Sequence, residues 1–122
     1  MEFTAVLDFP DIFYVKNSSA DVLISNGQSA LDLLSTARYD CGAEKLILDK
    51  ADIVENFFDL KTLVAGEVLQ KFVNYGMPVA IVGDFSVYDS KSLKDFIYEC
   101  NKGKNVFFVP DFDLAVAKLT GK

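Results

Sequence analysis

The sequence contains no histidine and no tryptophan, and Arg38 is the single arginine among its twelve basic residues. Without an imidazole side chain, the chain cannot form a Ser-His catalytic triad, a His-ligated zinc site or a histidine phosphorelay. The scarcity of arginine and a net charge of −6 also argue against a nucleic-acid ligand, because phosphate backbones bind clusters of Lys and Arg. Anionic membrane surfaces are disfavoured for the same reason.

Long hydrophobic runs are also missing. The apolar segments Val79–Val82 and Val106–Val109 are far shorter than the roughly 18–20 residues that a membrane-spanning helix needs. The N-terminus carries Glu2 where a secretory signal would carry basic residues. These features predict a cytoplasmic protein that does not enter a membrane, with Cys41 and Cys100 as free thiols.

Apolar residues are abundant, at 51% of the 122 positions, which predicts a single folded domain over residues 1–122. Eleven Phe and five Tyr are more rings than one core of this size needs. In an extended backbone, the doublets Phe57-Phe58 and Phe107-Phe108 would place neighbouring rings on opposite sides. We therefore expect rings at the surface and predict a homo-oligomer, in the simplest case a dimer.

Hydrophobic periodicity predicts an α/β fold that starts with a hairpin. Phe3–Leu7 and Ile12–Val15 are typical of strands, and the short connection Asp8–Asp11 requires that they run antiparallel. Helices and strands then alternate, with helices over Gln28–Arg38, Asp59–Tyr75, Ser90–Cys100 and Asp111–Leu119, and strands at Lys45–Leu48, Val79–Val82 and Val106–Val109. We predict a mixed sheet, an N-terminal antiparallel hairpin followed by βαβ units, with helices packed on it.

The middle of the chain carries recognisable motifs. The stretches Phe57–Thr62, Ala65–Phe72, Ala80–Ser86 and Ser90–Leu93 closely resemble a bacterial family known as domain of unknown function number 4180. The order of elements is also similar to the STAS domain of anti-sigma-factor antagonists and sulfate transporters, which implies a STAS-like fold. In those antagonists a serine is phosphorylated within a pattern like Asp-Ser-Ser-Gly. The matching stretch here is Asp59-Leu60-Lys61-Thr62, in which Leu60 and Lys61 stand where the phosphorylated hydroxyl would be and Thr62 is the only hydroxyl nearby. A phospho-regulated partner switch at Thr62 is the alternative function that the resemblance implies.

Three carboxylates follow the last three predicted strands: Asp49, Asp84 and Asp111. If the strands are parallel, these side chains lie along one end of the sheet, where open α/β folds bind ligands. Oxygen ligands of this kind suit Mg²⁺, which would make the protein a small Mg-assisted enzyme. The alternative, which we favour from the sequence, is that each Asp has a turn or capping role.

A second candidate site lies at the start of the longest predicted helix. Asp59, Lys61 and Thr62 would surround free backbone N–H groups that can receive a small anion. The simpler interpretation is that Asp59 caps the helix and Lys61 is solvated.

Small and polar residues also recur along the same helix at intervals of four: Thr62, Gly66, Gln70 and Asn74. Such a row lets another backbone approach closely, although an ordinary solvent-exposed face would have the same pattern. Gly66 favours close approach, because glycine disfavours a helix by about 1 kcal/mol relative to Ala. Because no nucleophile–base pair is evident, the leading hypothesis is a non-catalytic, cytoplasmic interaction module. It would self-associate and bind a protein or a small ligand through the face around this helix, and no cofactor is expected.

Overall fold

Five strands form one sheet in the order β1-β2-β3-β4-β5, which is also their order along the chain. The computed structural model describes residues 1–121. The hairpin strands β1 and β2 are antiparallel, and β2 to β5 are mutually parallel, so the predicted mixed sheet is confirmed. The strands are β1 Glu2–Val6, β2 Phe9–Lys16, β3 Lys45–Asp49, β4 Val79–Val82 and β5 Val106–Val109.

The hairpin connection is shorter than predicted. Phe9 and Pro10 already belong to β2, so only Leu7 and Asp8 join the two strands. Asp8 has φ 71, a left-handed conformation that Asp adopts more readily than most side chains do. The register shifts between Ala5 and Val6, so the two strands pair irregularly next to the turn.

Four helices cover the two faces of the sheet: α1 Gly27–Cys41, α2 Val64–Asn74, α3 Lys91–Lys102 and α4 Phe112–Thr120. Helices α1, α2 and α3 pack on one face, against a strand set that includes Leu46, Leu48, Val79, Ile81 and Phe108. Helix α4 alone packs on the other face, against Ile47, Ala80, Phe107 and Val109. The central strands are therefore apolar on both sides, as the continuous hydrophobic runs predict.

The aromatic doublets do not provide the exposed rings that we expected. Phe107 and Phe108 do lie on opposite faces, but a helix covers each face, and both rings are buried. Phe57 and Phe58 are also buried. The exposed rings are instead those of Tyr39, Tyr75, Tyr98 and Phe112.

The long helix predicted over Asp59–Tyr75 is divided. A short 3₁₀ turn, Leu60–Thr62, comes first, Leu63 adopts φ 66, and α2 begins only at Val64. The Thr62 hydroxyl explains the break, because Oγ1 lies 2.7 Å from the Asn56 carbonyl oxygen and 2.8 Å from that of Asp59. Side chain to backbone bonds of this kind compete with helix continuation.

The N-terminus of α1 is bound to α2. Asn26 caps α1 by accepting a hydrogen bond from the Ser29 N–H, and the Gly27 N–H donates to Glu67 Oε1 at 2.7 Å. A Cβ atom at Gly27 would lie 2.8 Å from Glu67 Cγ. Glycine is therefore required here because the Glu67 side chain lies directly against the backbone.

The outer edge of β5 is closed by a side chain from α3. Asn101 Nδ2 donates to the Phe108 carbonyl oxygen at 3.1 Å, and the Phe108 N–H donates to Asn101 Oδ1 at 2.7 Å. The amide thus occupies the position that another strand would take. Among residues 1–121, no helix combines the length and apolar character needed to cross a membrane.

We expect Glu67→Ala to lower the free energy of unfolding by about 1 kcal/mol, because it removes a charged acceptor from the N-terminus of α1. Urea unfolding followed by circular dichroism measures the change. Glu99→Ala on α3 is the matched control, since the exposed Glu99 makes only a surface ion pair with Lys102. Equal effects of the two substitutions would contradict this role of Glu67.

Candidate functional site

The three predicted carboxylates are all at the edge where the parallel strands end, but each has its own partner. Tyr14 Oη donates to Asp49 Oδ2 at 2.5 Å. Asp84 Oδ1 accepts hydrogen bonds from both the N–H and the hydroxyl of Ser86. Asp111 caps α4, accepting from the Leu114 N–H at 2.8 Å.

The hydrogen bonds also set the protonation behaviour of this edge. The Asp49 carboxylate, reinforced by burial, raises the pKa of Tyr14 to about 12. The two bonds from Ser86 lower the pKa of Asp84 below its ordinary value. Asp84 is therefore held as a carboxylate that closes its own turn.

The structure does not bring the three carboxylates together. Asp49 lines a cavity of about 400 Å³ beside Tyr14 and Asn17, and Asp84 lines a separate one of about 380 Å³ beside Phe108. Asp111 lines neither cavity. Across residues 1–121, no group of three or more Asp, Glu, Cys or His side chains is arranged to hold a metal ion.

The predicted anion site at Asp59, Lys61 and Thr62 does not lie at the start of the long helix. Asp59 Oδ1 accepts from the Lys61 N–H at 3.2 Å, so it caps only the 3₁₀ turn. The Thr62 hydroxyl is turned back to the carbonyl groups of its own loop. Lys61 is exposed. The backbone break at Leu63 separates Asp59 and Lys61 from α2, whereas Thr62 Oγ1 still accepts from the N–H of Val64, the first residue of α2, at 3.3 Å.

One side of α2, together with the residue that precedes the helix, exposes a row of uncharged residues. We call Leu63, Gly66, Gln70, Val73 and Asn74 the α2 stripe. All five are exposed, and their spacing places them on one side of the helix. The predicted row therefore retains Gly66, Gln70 and Asn74, but Thr62 precedes the helix and is replaced by Leu63.

A cluster around Lys50 has no counterpart in the sequence predictions. Lys50 Nζ lies 5.3 Å from the Phe58 ring centroid and 5.1 Å from that of Tyr88. Tyr88 Oη donates to Glu55 Oε1 at 2.7 Å, while burial and this bond raise the pKa of Tyr88. The Lys50 stem runs against Gly83, where a Cβ atom would lie 2.5 Å from Lys50 Cβ. No local pattern signals the cluster, because its members come from separate segments.

Asp52 is the one buried charged residue of the described chain, with 8% of its surface exposed. Asn17 Nδ2 donates to its Oδ1 at 3.2 Å. Its carbonyl oxygen accepts from the N–H groups of Leu23 and Ile24. Burial raises the pKa of Asp52 above its ordinary value of 3.8, and the charge of Asp49 adds to this, whereas the bond from Asn17 opposes it.

Comparison with known proteins gives one positive result. The family described as a domain of unknown function, DUF4180, matches residues 11–119. No curated protein and no solved structure gives a significant match.

We expect the free energy of unfolding of the Asp52→Asn variant, relative to that of the wild type, to increase as pH rises. The folded chain holds the Asp52 proton more tightly than the unfolded chain, so the wild type loses stability as pH rises from about 3.8 through the raised pKa. The variant has no such loss, and its advantage in free energy of unfolding should grow between about pH 3 and pH 7. Urea unfolding across this range measures it, with the exposed Asp21→Asn as control. A pH-independent difference would contradict the assignment.

We expect Gly83→Ala to lower the free energy of unfolding by about 1–3 kcal/mol, because the added methyl group overlaps the Lys50 stem. Thermal unfolding measures the loss. Gly103→Ala is the matched control, since a Cβ atom there meets only the Cys100 carbonyl oxygen at 3.4 Å. A stable Gly83→Ala variant would show that Lys50 is free to move aside.

Proposed function

We propose that the chain, which belongs to the DUF4180 family, is a non-catalytic interaction module that self-associates through the α2 stripe. The order of its elements, a hairpin followed by parallel βαβ units, supports a STAS-like assignment by analogy of fold. On this proposal the protein acts in the cytoplasm by presenting α2 to a second copy of itself.

The observation that carries the proposal is the empty space beside Gly66. A Cβ atom built there meets no atom within 4 Å, so the packing of this chain does not require glycine. Glycine in a helix lowers stability by up to about 1 kcal/mol relative to Ala. Close approach of another backbone would explain why glycine stands at position 66, since the packing of this chain does not need it there.

The exposure and backbone conformation of Leu63 also support self-association through the α2 stripe. Its side chain is 75% exposed, and its backbone has φ 66. Left-handed backbone costs a non-glycine residue roughly 1–2 kcal/mol, and strain of this kind concentrates at functional sites. An exposed leucine gains free energy when an interface removes its apolar surface from water.

The distribution of charge permits a second copy of the chain as the occupant. Each copy carries a net charge of −6, so two copies repel each other unless their contact avoids charged groups. The α2 stripe contains no ionisable side chain, and the exposed Glu67 carboxylate that borders it already accepts a hydrogen bond from the Gly27 N–H. Gln70 Nε2 donates to Asn74 Oδ1 at 2.7 Å, and their remaining amide groups can pair with the same residues across a two-fold axis.

We expect Gly66→Gln to weaken self-association at least about tenfold, because the new side chain separates the two helices. Sedimentation velocity from about 1 to about 100 μM measures the dimer dissociation constant. Ser92→Gln is the matched control, because Ser92 is an exposed residue in the first turn of α3. It should leave dimerisation unchanged. A wild-type monomer throughout this range, or a Gly66→Gln dimer as strong as wild type, would overturn the proposal.

A further inference from the structure

We propose that a cavity at the edge where the parallel strands begin binds a small anion carrying at least two negative charges. This edge is opposite the one that holds Asp49 and Asp84. The cavity, of about 600 Å³, lies between the start of β3, the C-terminal end of α3 and the last turn of α4. The proposal is independent of self-association, because none of its lining residues belongs to the α2 stripe.

The charge of this cavity is opposite to that of the whole protein. Four lysines line it, Lys45, Lys102, Lys104 and Lys118, of the twelve basic residues in the chain. Among residues 1–121, no Asp or Glu lines it, although the chain has 18 acidic residues. Such a segregation of charge concentrates positive potential in one concave site.

The four lysines differ in the hydrogen bonds and ion pairs that their ammonium groups already make. Lys45 Nζ donates to the Leu119 carbonyl oxygen at 2.7 Å, which fixes its ammonium group at the cavity wall and leaves further donors. Lys102 lies 3.6 Å from Glu99 and 4.3 Å from the Tyr98 ring. Within residues 1–121, the ammonium groups of Lys104 and Lys118 have no hydrogen bond or ion pair. Two lysines are therefore unpaired and a third has donors to spare.

The C-terminal ends of α3 and α4 neutralise only part of the positive charge of the four lysines. A helix C-terminus attracts cations, and it acts as about half a negative charge. The two helices that end at the cavity thus offset about one of the four positive charges. The remainder is suited to a ligand of two or more negative charges.

The lining also defines the chemistry of the ligand. Lysine ammonium groups bind phosphate and carboxylate oxygens as point charges, without the planar geometry that arginine imposes. Pro78 and Phe107 contribute apolar lining to the cavity, so the anion can carry an organic body. The shared chemistry is that of a compact multivalent oxyanion, either phosphorylated or polycarboxylic.

We would titrate the full chain with inorganic pyrophosphate and, separately, with citrate by isothermal calorimetry at constant ionic strength. Saturable binding of either anion supports the proposal, and the one that binds more tightly identifies the class. The variant Lys104→Gln/Lys118→Gln should weaken binding at least about tenfold. Both side chains are exposed, so we expect the variant to fold, and its thermal unfolding checks this.

The control variant is Lys16→Gln/Lys94→Gln, which removes two exposed lysines outside the cavity and should bind like wild type. An equal loss in both double variants would indicate general charge screening and overturn the proposal. Absence of saturable binding of both anions up to about 10 mM would also overturn it. Gly66→Gln should bind the anion normally, which separates this outcome from that of the self-association experiment.

Discussion

The structure depends on one constraint: the central parallel strands are apolar on both faces, so both faces must be covered. Crossovers between parallel strands are right-handed, and the strands follow one another in a single direction across the sheet. All three crossover helices therefore pack on the same face. The opposite face is left to α4, which within residues 1–121 is the one helix that packs there. The position of α4 in turn closes the lysine-lined cavity at one edge of the sheet.

Much of this fold could be predicted from the sequence, because hydrophobic periodicity reflects burial directly. Val79–Val82 and Val106–Val109 have the predicted bounds, since a continuous apolar run ends where burial on both faces ends. The pattern failed at Asp59–Tyr75, where helical spacing continues through a backbone break. The break comes from the Thr62 hydroxyl bonded to backbone carbonyl groups, and such local competition leaves no trace in hydrophobic spacing.

The sites were less predictable, because a shared edge does not bring residues into contact. Asp49 and Asp111 follow strands that are two places apart, and each neighbouring strand adds about 4.8 Å. Each carboxylate also has a nearer donor, such as Tyr14 for Asp49. The lysine cavity was missed for a different reason. Its residues come from separate segments of an acidic chain, so neither net charge nor any local motif reveals them.

The Asn101 amide has a consequence for how this sheet can grow. Because it pairs with the Phe108 backbone, an incoming strand at β5 would first have to displace a side chain from its hydrogen bonds. The hairpin strand β1 is at the other edge and has β2 as its only neighbour. The two edges of the sheet are therefore unequal. A further strand can pair with β1, whereas at β5 the Asn101 amide already occupies the Phe108 backbone groups. Edge-to-edge pairing is therefore favoured at β1 over β5, and a two-fold pair joined through β1 leaves no further open β1 edge.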